Sequence, residues 1–232
     1  MRVPGLLTPE ECQALLMALA AVPMDHYDRA RVFPVVAKFG PAVNDHRRAG
    51  VLDPAYWEAA RAAEKAWSRL GVPASPRKVC LAAFQDDWPE VRPARRGFEE
   101  LHVGVVREIN GGLQVHVDDV SREYRDNLVG LALTAQFAFN VYLTVPPSGG
   151  ETVVWQRRWL PGDDATGIPG GYGYDEVVTA GASQVVVRPA VGEGLLFDPR
   201  NYHTVRRAHG GRRVSIGCFV GLDADDQMIL WS

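Results

Sequence analysis

Two hydrophobic textures divide the chain. Thr8-Pro9-Glu10-Glu11 has the form of a helix start: Thr8 caps, Pro9 takes the first helical position and Glu11 can reach back as a capping-box carboxylate. The apolar run behind it predicts a helix to about Ala21. A second helix is predicted from about Pro54 to Leu70, rich in Ala, Glu and Arg and stopped by Gly71 with Pro73 just beyond. From about Lys78 onward, short β-branched and aromatic runs alternate with Gly, Pro, Asn and Asp. That texture predicts strands at 79–85, 101–109, 113–117, 134–144, 151–155, 184–188, 194–198, 203–207 and 213–220. Helices followed by many short strands predict a mainly β fold, a sandwich or barrel with the helices packed outside. With no internal repeat or linker, residues 1–232 are expected to form one domain, about 1–77 helical and about 78–232 the β core. Gln156 to Asp175 breaks the pattern with five glycines, two prolines and several aromatics. An insertion of that length, near 156–177, is expected to act as an active-site lid.

Composition narrows the classes. A hydrophobic fraction of 47% and a charged fraction of 23% are ordinary for a globular chain, and a net charge of -3 leaves no basic footprint for nucleic acid. Cys12, Cys80 and Cys218 are odd in number and far apart, so a disulfide framework is not expected and a reducing cytoplasm is the simplest home. No apolar stretch reaches the roughly 20 residues of a membrane span. The partner left open is a small molecule, handled by a monomer or a homodimer.

The chemistry concentrates at two places. In Leu113-Gln114-Val115-His116-Val117-Asp118 a strand would set Gln114, His116 and Asp118 on one face, carrying imidazole and carboxylate together. Asp119 is the neighbouring alternative ligand, but a slip of one residue turns it to the opposite face. Much later, Asn201-Tyr202-His203 comes after a tight turn and an apolar strand. Two histidines and one carboxylate bind divalent iron while leaving adjacent positions open, whereas a closed zinc site needs a fourth ligand that the cysteines are not placed to give. Beyond His203, Arg213, Ser215 and Gly217 share one face of a strand. An inward arginine is costly unless paired, either with an internal acid or with a bound dicarboxylate that its fork matches. Gln136, Asn140 and Tyr142 likewise share a polar face, opposite Phe137, Phe139, Val141 and Leu143.

The order of these parts resembles the double-stranded β-helix (jelly-roll) oxygenases that use iron(II) and 2-oxoglutarate. His116-x-Asp118 comes first, then Asn140-x-Tyr142-Leu143, Gly149-Gly150-Glu151-Thr152, His203, Arg213-x-Ser215 and the apolar strand through Phe219. Within that group the Asn-x-Tyr-Leu strand, the Gly-Gly-Glu-Thr turn, Tyr172-Gly173-Tyr174-Asp175 and Asn201-x-His203 are similar to two kinds of stand-alone enzyme. These hydroxylate N-substituted amino acids, or are the related carrier-independent halogenases. The resemblance implies iron(II) on His116, Asp118 and His203, and 2-oxoglutarate with its distal carboxylate on Arg213 and Ser215. It also implies cosubstrate contacts from Tyr142, Gln136 and Asn140, and O2 as co-reactant. The halogenases have Gly or Ala where Asp118 stands, so the resemblance implies hydroxylation of an unactivated C–H in an amino acid or natural-product intermediate, with succinate as coproduct. Trp159 and Arg107 are the candidate substrate contacts, against a packing role for the first and a surface ion pair with Glu108 or an aspartate for the second. His26, His46, His102 and His209 lack such a pattern. Two readings compete with this one. A cupin-like isomerase or cosubstrate-free dioxygenase would need no Arg213, and a non-catalytic binding barrel would need no intact ligand set.

Overall fold

The computed structural model describes residues 1–88 and 90–232. Helix α1 (Pro9–Ala20) begins with both halves of the predicted capping box formed between Thr8 and Glu11. Helix α2 (Ala55–Arg69) buries Tyr56, Ala60, Ala63 and Trp67, a single stripe at helical spacing. The segment expected as a strand at 79–85 is instead helix α3 (Pro76–Gln85). The Ser75 hydroxyl accepts the Lys78 N–H, Pro76 opens the first turn, and Val79, Cys80 and Phe84 fall on one buried face. The start signal outweighs the strand-like composition of the run it opens.

The principal strands are β1 (Val105–Glu108), β2 (Leu113–His116), β3 (Ala135–Thr144), β4 (Thr152–Arg158), β5 (Gln184–Val187), β6 (Gly194–Phe197), β7 (Asn201–Val205), β8 (Val214–Leu222) and β9 (Met228–Trp231). The larger sheet runs Arg2–Val3, β6, β3, β8, β1, Ala37–Phe39 and Asp25–His26, with β9 also paired to β8. The smaller sheet runs β2, β7, β4, β5. Neighbours along these two runs pair antiparallel, and β9 also pairs in parallel with Arg92–Pro93. The strand predicted at 101–109 is shorter than expected, starting at Val105. Strand β9 lies outside the predicted set, yet its four residues are all buried and pair with β8.

Alternation on the long strands assigns the two faces of the larger sheet. Phe139, Val141 and Leu143 on β3, with Val214, Ile216 and Val220 on β8, pack against Cys12, Leu15 and Leu19 of α1 and Val79, Cys80 and Phe84 of α3. The opposite faces, with Ala138 and Asn140 on β3 and Arg213 just before β8, look toward the smaller sheet. The helices thus seal the outside of the sheet and leave a polar interior between the two layers. The insertion also differs from expectation. β4 continues through Arg158, and 3₁₀ turns at Pro161–Thr166 and Glu176–Thr179 order both ends of the segment beyond it.

Candidate metal centre

In the smaller sheet β2 and β7 pair with His116 directly opposite His203, and cross-strand partners of this kind hold their Cβ atoms about 5 Å apart. Their rings lie with centroids 4.0 Å apart. Each ring is oriented by the carbonyl two residues earlier: His116 Nδ1 lies 2.7 Å from the Gln114 carbonyl and His203 Nδ1 lies 3.0 Å from that of Asn201. A carbonyl can only accept, so Nδ1 carries the proton in both rings and each Nε2 presents its lone pair. Asp118, whose N–H donates to the Pro199 carbonyl, brings Oδ2 to 3.8 Å from His116 Nε2 and 3.5 Å from His203 Nε2. One donor atom from each residue lies within 4.8 Å of the others, and all three residues are buried.

The other oxygen of Asp118 is already engaged. Asn44 Nδ2 donates to Oδ1 at 3.0 Å, and the Tyr172 hydroxyl donates to the same atom and accepts from Asn44 at 2.8 Å. One carboxylate oxygen is thereby tied to the protein and the other left to a metal. Burial opposes ionisation of Asp118, but its contacts with the His203 and His116 rings and the hydrogen bond from Tyr172 outweigh it and hold the carboxyl below its usual range. Burial, together with the neighbouring His203, lowers His116 to about 4, so it is neutral and able to ligate at physiological pH.

Beside this cluster, Glu123 is buried next to Tyr172, and burial plus the charge of Asp118 raise it to about 8. In the unfolded chain a glutamate ionises near pH 4.3. Between those values the unfolded state gives up a proton that the folded state keeps, so the metal-free protein should lose stability as pH rises from about 5 to 8. Glu123→Gln is expected to flatten that slope, which is about 1.4 kcal/mol per pH unit at its steepest, in thermal melts across the range.

The triad opens into a cleft of about 950 Å³ between the two sheets, part of it open to solvent. Its far wall is the larger sheet. There Tyr142, Ser215 and Arg107 lie side by side on one transverse row of β3, β8 and β1. Arg213 is buried at one end: Nε donates to the Gly150 carbonyl at 2.9 Å, and Nη2 reaches the Thr152 hydroxyl at 3.3 Å and the Tyr142 hydroxyl at 3.4 Å. Gly149 shapes this corner. Its φ of +71° and the closeness of the Arg207 carbonyl exclude a side chain, and the turn aims the next carbonyl at Arg213. Among the described residues no acid lies within ion-pair distance of Arg213.

The expected site residues therefore separate. His116, Asp118, His203, Arg213, Arg107 and Asn140 line the cleft, while Tyr142 and Ser215 are buried in the sheet behind that wall, in register with Arg107, and the Tyr142 hydroxyl meets Arg213. Arg107 is no surface ion pair, because Glu108 is taken by Arg212. Gln136 is a correction. Its Oε1 accepts the Val120 N–H at 3.0 Å and its Nε2 donates to the Asp118 carbonyl at 3.1 Å. It braces the ligand loop from behind and is turned away from the cleft. Trp159 is a second correction, since it stacks on Arg122 at 4.5 Å, donates to Asp164 Oδ1 and is absent from the cleft wall. His102 is structural, beside Glu64 in the core. The sequence alone did not flag Tyr27, Arg31, Asn44, Asp45, Thr152 or Phe197, all of which line the cleft. Tyr172 had only the weak signal of an aromatic-rich insertion.

Two stacked sheets with a buried His-Asp-His cluster between them suit an oxygenase of the iron(II)/2-oxoglutarate superfamily. The comparisons agree and are more specific. Residues 104–232 match the family described as carrier-protein-independent halogenase WelO5, and the chain belongs to that family. L-gamma-glutamyl-L-propargylglycine hydroxylase of Streptantibioticus cattleyicolor is 38% identical over 236 residues, covering 100% of this chain and 87% of the relative. Leucinostatins biosynthesis cluster protein S of Purpureocillium lilacinum is 29% identical over 166 residues, 67% of this chain and 68% of its own length. Among solved structures, an N-substituted L-amino acid dioxygenase from Burkholderia ambifaria in complex with alpha-KG superposes with a TM-score of 0.65 at 14% identity, over 98% of this chain and 84% of the other. At that identity the likeness speaks for the fold.

Proposed function

We propose that this protein hydroxylates an unactivated carbon of an N-substituted amino acid or a similar small natural-product intermediate. Iron(II) would be held by His116, Asp118 and His203, and 2-oxoglutarate would have its distal carboxylate on Arg213. The observation that carries this reading is the pairing, across one cleft, of a His-Asp-His donor set with a buried guanidinium that lacks an acid. The donor set leaves coordination positions free, and Arg213 supplies what a dicarboxylate needs at its other end. Asp118 fills the third ligand position. The same position is open to halide in the halogenases that this chain resembles, so hydroxylation is the outcome assigned here. The substrate class draws on the hydroxylase that is 38% identical to this chain.

When bound, iron and 2-oxoglutarate supply the oxidising power, with O2 consumed and succinate and carbon dioxide released. The chain's own residues position and protect. The Gln114 and Asn201 carbonyls fix the imidazoles, while Asn44 and Tyr172 hold Asp118 by the oxygen that faces away from the histidines. Gln136 anchors the backbone behind Asp118. Phe197, edge-on to His203 with centroids 5.0 Å apart, keeps one side of the site apolar. Tyr142 and Thr152 steer the Arg213 fork, and Ser215 lies opposite Tyr142 on β8. Residues 159–175 bring Tyr172 over the ligands, the role expected of a lid.

Among the described residues no helix is long and apolar enough to cross a membrane, and the three cysteines are free and buried, which fits a reducing cytoplasm. The test is anaerobic titration of the apo-protein with iron(II) and then 2-oxoglutarate. The weak visible charge-transfer band of chelated 2-oxoglutarate is the expected result. Metal binding without that band would favour the cupin-like reading, and failure to bind metal would leave a binding barrel.

A further inference from the structure

A cosubstrate carboxylate on Arg213 accounts for one of two arginines facing the cleft from the larger sheet, the second being half-buried. Arg107 is the other. It projects from β1 beside Ser215 on the same face of the larger sheet as Arg213. Its Nε donates to the Tyr27 hydroxyl at 2.7 Å, its single side-chain hydrogen bond among the described residues. No acid lies within ion-pair distance there either, since the nearby Asp45 is committed to Lys38 at 3.3 Å. A guanidinium has five N–H donors in a planar fork, so four remain to be met. A half-buried fork with four donors turned to a cleft is placed to receive an anion.

The surroundings keep this fork clear. Gly217 lies on the cleft side of β8, where a Cβ would collide with Arg107 Nη1 and crowd Asn140 Oδ1. Because Tyr27 accepts from Arg107, its own hydroxyl proton is free to be donated to the same ligand. Tyr27 and Arg31 come from the N-terminal part of the chain and line the cleft with Arg107. The two arginines are also held differently. Arg213 is tied at Gly150, Tyr142 and Thr152, while Arg107 is tied at Tyr27. Two separately anchored forks can take two separate carboxylates.

We propose that Arg107, with the Tyr27 hydroxyl beside it, receives a carboxylate of the substrate, which must then carry a free acid group. The inference rests on the function proposed above and adds the group by which the substrate is recognised.

The experiment uses the full-length protein with iron(II) and 2-oxoglutarate under anaerobic conditions. N-acetyl-L-leucine and γ-L-glutamyl-L-norvaline are each titrated as the free acid and as the carboxamide, and the shift of the charge-transfer band is tracked. At least one acid should bind about 10-fold to 100-fold more tightly than its carboxamide, as expected for a charge-assisted fork. In Arg107→Met that preference should collapse while 2-oxoglutarate still binds within about 3-fold of wild type. Arg107→Lys should restore part of it, and the metal-free Arg107→Met protein should melt no lower than wild type. Equal binding of acid and carboxamide, or no response to either acid, overturns the inference. So does a loss of 2-oxoglutarate binding in Arg107→Met, which would give Arg107 to the cosubstrate. Should Arg107→Met not fold, Arg107→Lys and the acid-to-carboxamide comparison in wild type decide it. A wild-type protein that forms no band with 2-oxoglutarate fails the broader reading, a sign distinct from any of these.

Discussion

His203→Ala is expected to abolish stable metal binding while the protein still folds. The ring supplies one of three donor atoms, and its loss leaves a His-Asp pair that any solvent-exposed site could match. Outer partners of metal ligands commonly contribute about 10-fold to 100-fold in affinity, so loss of a ligand itself should weaken iron(II) by more than about 100-fold. Folding should survive for a local reason. Asp118 keeps its bonds from Asn44 and Tyr172, and the β2–β7–β4 ladder is made by backbone groups that alanine retains. Metal content after dialysis, measured beside the far-ultraviolet circular dichroism spectrum, checks both halves. An alanine variant that keeps stoichiometric iron would place the metal elsewhere.

His116 was legible because a period of two fixes which side chains of a strand share a face, whereas Asp118 lies two residues past the end of β2 and is placed by its N–H on the Pro199 carbonyl. The same alternation assigned Arg213 and Ser215 to one side of β8 and Asn140 and Tyr142 to one side of β3. It failed at Gln136, which lies on the predicted face but near the end of β3, where Val120 and the Asp118 carbonyl claim it before it can reach the cleft. Face can be read from a strand, but depth along it depends on what packs there. Residues 76–85 show a different limit: a run of Val, Cys, Leu and Phe suits a strand as well as a helix, and the Ser75-Pro76 start signal is what decides between them. Asn44 and Tyr27 could not be found at all, since they reach the site by long-range packing of irregular segments.

Arg213→Met is expected to leave the metal and remove the cosubstrate. Methionine fills much of the same volume without charge, so the change isolates the guanidinium. Each hydrogen bond to a charged group contributes about 1.5–3 kcal/mol, and two in a fork lost together should raise the 2-oxoglutarate requirement by about 100-fold or more. Arg213→Lys should fall between, because an ammonium keeps the charge but loses the planar fork. Stability should move the other way. In the free protein Arg213 is buried on hydroxyls and one carbonyl with no acid, and burial pulls its pKa below the usual range, the sign of an ion held at a cost. The metal-free methionine variant should therefore melt at or above the wild-type temperature, whereas 2-oxoglutarate should raise the melting temperature of wild type alone. A variant that melts well below wild type and still binds 2-oxoglutarate would make Arg213 a brace for the Gly149-Gly150 turn, and the search for the distal carboxylate would move to Arg107.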